Sequence, residues 1–131
     1  MKIGIILVIF LSSTANAEER NYSQQFVQCS KTVSSAGGQS DCVTAEIAFQ
    51  KKRLNVAYSN AVKKLAPEDK AYLDKIQHEW ITWRDDNYKF LAEHVSGAFG
   101  TTRATSLDFM LRSVFDRASE LEMISDEMGA N

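Results

Sequence analysis

Apolar positions along most of this chain recur every three or four residues, and the pattern is interrupted twice. The first run carries Val43, Ile47, Phe49, Leu54, Ala57, Tyr58, Ala61, Val62 and Leu65. Most of these follow the i, i+3, i+4, i+7 spacing of an amphipathic helix, with Lys51, Lys52 and Arg53 on its polar side. Asp41, or Ser40 before it, is a suitable N-cap, so a helix is expected over about 41–65. Pro67, the only proline, stops that run and fits the first turn of the next helix, where its missing N–H is harmless. Glu68 and Asp69 follow it, where acidic groups favour a helix N-terminus. Tyr72, Leu73, Ile76, Trp80, Trp83, Phe90, Leu91 and Val95 then mark a second helix over about 68–95. The stretch 96–102, with two glycines, breaks the pattern again, and Thr101 or Thr102 can cap a third helix over about 103–128. Its stripe is Leu107, Met110, Leu111, Val114, Phe115, Ala118, Leu121 and Ile124.

No stretch alternates with period two for long enough to be a strand. The expected fold class is therefore all-α: an up-down bundle of three long helices. The connection at Ala66-Pro67 is short, so the first two helices should be antiparallel neighbours, with Asn55 and Gln77 at similar heights. Ahead of them, Tyr22 and Phe26 sit at i, i+4 in a segment that can form a short helix leading into Cys29. The Ser- and Gly-rich stretch from Lys31 to Ser40 is expected to be a loop.

The N-terminal segment obeys a different rule. Lys2 gives a positive start, Ile3 to Leu11 is apolar, and Ala15-Asn16-Ala17 matches an A-x-A cleavage site. The apolar run is too short for the ~20 residues that span a bilayer. It reads as a secretory signal peptide over 1–17, cleaved after Ala17, leaving a single domain at 18–131 and no membrane association afterwards. An uncleaved anchor is the alternative. Export places Cys29 and Cys42 in an oxidising compartment, where a disulfide between them is the default. Two free thiols, or a metal site lacking further ligands nearby, are the other readings. The formal net charge of −2 argues against nucleic acid or an anionic membrane as the main partner.

Candidate chemistry is sparse. His78-Glu79 resembles the start of a zinc motif, but Thr82 stands where its second histidine belongs. Asp85 and Asp86 are adjacent and point about 100° apart on a helix, so they cannot face each other as a glycosidase pair does. There is no G-x-S-x-G elbow and no phosphate-binding glycine loop. No cofactor or metal is implied, and an enzyme is disfavoured. The informative cluster is Gln77, Trp80, Trp83, Arg84 and Asp85. With Asn55 and Tyr58 on a facing helix, it reads chiefly as a structural polar network around two inward indoles, and secondarily as a partner contact.

These residues resemble the LprI-like family of lysozyme inhibitors, small exported bacterial proteins. The resemblance runs through Cys42, Ala45-Glu46, Leu54-Asn55 with Tyr58, Leu65 to Asp69, and Leu73. It continues in Gln77 with Trp80, Trp83-Arg84-Asp85, and Arg117 with Glu120-Leu121. It covers nearly all of 18–131. Many relatives have a further cysteine four residues after the arginine matched by Arg84, and another in the third helix. Here Tyr88 fills the first position and 107–109 holds no cysteine, so the bend at 96–102 would be unstapled.

The resemblance implies a periplasmic or secreted binding protein whose partner is a lysozyme or another peptidoglycan hydrolase. A mildly acidic inhibitor would be steered toward a basic lysozyme. Immunity against a delivered cell-wall-degrading toxin fits the same setting. The alternative is a non-inhibitory envelope interaction or structural protein, such as a secretion-system accessory subunit. The expected partner contact is the bend with Phe99, flanked by His94 and Arg103.

Overall fold

The structure, a computed structural model, describes residues 20–95 and 101–129, and the side chains of 20–95 and 104–128. Four helices follow in order: α1 (Gln24–Thr32), α2 (Ala36–Lys63), α3 (Pro67–His94) and α4 (Thr101–Gly129). No strand occurs among the described residues. This is the expected all-α architecture, three long helices with a short N-terminal one tied on by the Cys29–Cys42 disulfide. The signal-peptide segment, Phe99 and the side chain of Arg103 lie outside the described residues.

The first long helix begins at Ala36, five residues before the expected Asp41. Ser35 is the cap: its Oγ accepts a hydrogen bond from the Gly38 backbone N–H at 3.0 Å. A Cβ on Gly38 would come within 3.0 Å of that Oγ and 3.1 Å of the Val33 Cγ1, so the cap closes tightly because no side chain is there. The expected Ser/Gly loop shrinks to Val33–Ser35, and the two glycines become the first turn of α2. Likewise α1 is capped by Ser23 and runs through Cys29 to Thr32, into the start of the expected loop.

The core lies between α2 and α4. Leu54, Ala57 and Ala61 of α2 meet Leu111, Val114, Ala118 and Leu121 of α4, all buried. The alanines let the two backbones approach closely. The two helices run parallel, since Arg53 reaches Glu122 and Lys64 donates to the Ser125 carbonyl at 2.8 Å. α3 returns antiparallel between them in sequence, with Gln77 beside Arg117 and Trp83 beside Phe109. It packs mainly on α4 and only sparsely on α2. Phe49, expected in the apolar stripe, is exposed because it lies off the row Ile47, Gln50, Leu54, Ala57.

Candidate functional site

On α3 the singled-out residues separate into two environments. Asn55, Tyr58, Gln77, Trp80 and Arg84 line one groove between α2 and α3. They share that groove without forming one hydrogen-bonded network. Gln77 is buried, and its Oε1 accepts from the Nε of Arg117 on α4 at 2.9 Å, not from Asn55. Tyr58 donates its hydroxyl proton to Asp74 at 2.6 Å. That carboxylate pushes the Tyr58 pKa up to about 12, because it favours the protonated phenol. The Arg84 guanidinium lies 5.0 Å from the Trp80 ring centroid, and its Nε donates to Asp85 at 2.9 Å. Trp80, half-buried, packs on the core.

Trp83 corrects the expectation of two inward indoles. It is 52% exposed, with its ring 5.6 Å from that of Phe109 in a second groove between α3 and α4. The cause is geometric. Three residues on from Trp80 is a turn of 300°, which swings Trp83 to the outer shoulder of a helix covered on one side only. Asp85 is exposed beyond both grooves.

Arg117 joins the grooves from the α4 side. It is buried, with Nε on Gln77 and Nη1 on Glu120 at 3.0 Å, while Nη2 has no hydrogen-bond partner among the described residues. A buried donor left unpaired costs about 1–3 kcal/mol.

The most connected polar chain lies elsewhere: on Glu46, quoted above only within the family resemblance, on Arg53, read as polar surface, and on residues not singled out. Glu46 is 2% exposed. It accepts the Ser23 backbone N–H at 3.0 Å, the Ser23 hydroxyl, and the Gln50 amide at 2.8 Å. Ser23 Oγ also accepts from the Phe26 N–H, so the N-cap of α1 docks on a buried carboxylate of α2. Gln50 passes the chain to Arg53, whose Nη1 donates to it at 2.9 Å. Arg53 then reaches α4, gripping Glu122 through Nε and Nη2 at 2.7 Å each, bonding Ser119, and lying 4.7 Å over the Phe115 ring. Arg53, expected on the polar side, is the link between helices. A bidentate Arg20–Asp116 pair at 2.8 and 2.9 Å and the edge-on Tyr22–Phe115 contact fasten the start of the described chain to α4. The signal that would have found Glu46 and Gln50 is their spacing. They fall four and eight residues after Cys42, on the row that continues through Leu54, Ala57 and Ala61.

No group of three or more His, Cys, Asp or Glu converges among the described residues. His78 turns its Nδ1 to the Asp74 carbonyl, and Glu79 pairs with Lys75 at 3.1 Å. The arrangement offers docking surfaces and a braced scaffold. A model of the family described as lysozyme inhibitor LprI matches residues 29–121. The chain belongs to the LprI family. The LprI span opens at the disulfide and closes at Leu121, so it takes in the Glu46–Arg53 chain and both grooves of α3. At the level of the family, LprI proteins are inhibitors that act on a protein target rather than enzymes. No curated protein and no solved structure matches the chain significantly.

Proposed function

We propose that this protein is an envelope inhibitor of a peptidoglycan hydrolase, binding its target one-to-one without turnover. The carrying observation is the LprI match over residues 29–121. A periplasmic or secreted setting is supported by the A-x-A site at Ala15–Ala17 and by the Cys29–Cys42 disulfide, a bond that persists in oxidising compartments. Among the described residues no helix is long and apolar enough to cross a membrane. The target is a lysozyme, or a cell-wall-degrading toxin against which the protein gives immunity. In this reading Phe99, in the segment between α3 and α4, and Arg103, in the first turn of α4, reach the target's cleft. His94 is the last residue of α3, exposed, with its ring 5.5 Å from Phe90.

A turbidity assay of lysozyme on cell walls, with and without the purified protein, tests the reading. Lysis should slow in proportion to added protein and stop near equimolarity. Unslowed lysis at tenfold excess would remove lysozyme as the target, and the same assay with cell-wall amidases would then test the immunity version. Alanine at Phe99 and Arg103 should weaken inhibition without lowering the melting temperature.

A further inference from the structure

Tyr72, Trp83 and Phe90 are 65%, 52% and 58% exposed. Ile76, Trp83 and Phe90 are spaced i, i+7, i+14, and Tyr72 projects along the same line, so they form one row on the shoulder of α3 that faces α4. Phe109 of α4 extends this surface across the groove. A scattered exposed apolar side chain needs no explanation, but a row of aromatics along one helix does. Directly outward runs a second row at the same spacing, Glu79, Asp86 and Glu93, all exposed. Glu79 has Lys75 and Glu93 lies 3.8 Å from His94, while Asp86 has no ion-pair partner among the described residues.

The wider charge distribution has the same sense. α3 carries seven acidic against four basic residues and α4 six against three, whereas α2 carries four basic against two acidic. Negative charge is thus concentrated on the side of the molecule that bears the aromatic row.

We infer that the α3 shoulder, aromatic row and acidic row together, seats the basic surface of the target hydrolase. Lysine or arginine side chains of the partner meet Asp86 and its neighbours, and their stems or guanidinium planes lie over Trp83 and Phe90. An indole face attracts a cation, and exposed tryptophans make strong anchors once a partner covers them. The acid row adds long-range steering that salt screens. The inference rests on the inhibitor reading, and it names the face and the partner chemistry.

Calorimetric titration of the purified protein with lysozyme, a basic hydrolase, tests it alongside the turbidity assay. W83A and F90A should each weaken binding about tenfold or more while leaving the melting temperature nearly unchanged. The double reversal D86K/E93K should weaken it by a similar factor and flatten its salt dependence. K51E/K52E, on α2, should not weaken it. If the wild type inhibits and all of these variants inhibit equally, the shoulder is not the interface, and the inhibitor reading stands without it. If the wild type is a dimer that W83A alone dissociates, with lysozyme affinity unchanged, the occupant is a second copy and the inference is overturned. If the wild type neither binds nor inhibits lysozyme or the cell-wall amidases, the parent reading fails and this one falls with it.

Discussion

Replacing Glu46 by alanine should detach α1 from the bundle. The carboxylate is 2% exposed and receives three hydrogen bonds, two from Ser23 and one from Gln50. Hydrogen bonds to a charged group contribute about 1.5–3 kcal/mol each, and a stranded buried donor costs about 1–3 kcal/mol. E46A strands the Ser23 N–H and the Gln50 amide. Water can reach Ser23 once α1 lifts, but Gln50 is 1% exposed and stays covered. The expected loss is therefore about 3–4 kcal/mol, below the sum of the three bonds. E46Q is the informative partner. Oε1 already accepts from both Ser23 N and Gln50, and the new amide would face a Ser23 hydroxyl that can turn to accept. Only the charge is lost, so E46Q should cost about 1–2 kcal/mol. Urea unfolding gives both values, and hydrogen exchange over Gln24–Thr32 should rise in E46A before global unfolding. If E46A unfolds within about 1 kcal/mol of the wild type, the carboxylate does not hold α1, and the disulfide with the Arg20–Asp116 and Tyr22–Phe115 contacts does.

Three further outcomes follow from the same contacts. Serine at both Cys29 and Cys42 should cost roughly 3 kcal/mol in thermal or urea unfolding, the chain-entropy value for a loop with a sequence separation of 13. W80A should cost about 2–4 kcal/mol because Trp80 packs on the core, and W83A under about 1 kcal/mol because half of that side chain already meets water; equal losses in melting experiments would show that the two indoles are buried alike. The Tyr58 phenol has its pKa raised from 10.0 to about 12, so its contribution is intact below pH 10 and is lost as pH rises through about 12. Y58F should remove that alkaline dependence at a cost of at most ~1 kcal/mol, since the pair meets solvent; a wild-type stability curve flat from pH 10 to 12 would contradict it.

The bundle was legible because its punctuation is chemical. Pro67 and the acids after it mark the start of α3 within a residue, and the stripe from Leu107 to Ile124 marks α4. The start of α2 was not legible, because Gly37-Gly38 resembles a loop in any sequence, and only the Ser35 cap shows that the helix has begun. Periodicity places Trp83 on a definite bearing of α3 but cannot say how much of the circumference neighbouring helices cover. That depends on α3 resting on α4 and leaning away from α2. The family resemblance picked out Glu46 but not its burial, and Gln50 was missed altogether, since a charged residue and an amide in an amphipathic run read as surface. Glu46's partner Ser23 sits 23 residues before it, and Arg53, which Gln50 accepts from, reaches Glu122 69 residues further on.

The alanine-lined contact between α2 and α4 divides the molecule's tolerance for change. Ala57, Ala61 and Ala118 leave no room for a larger side chain, so A61L should force the two helices apart. The outward bearings of α3 touch none of that joint. A variant scaffold could rewrite every solvent-facing position from Tyr72 to Glu93 and still close in the same way. Retargeting and foldability are therefore separable here, with diversification free to proceed on one helix while two others stay fixed.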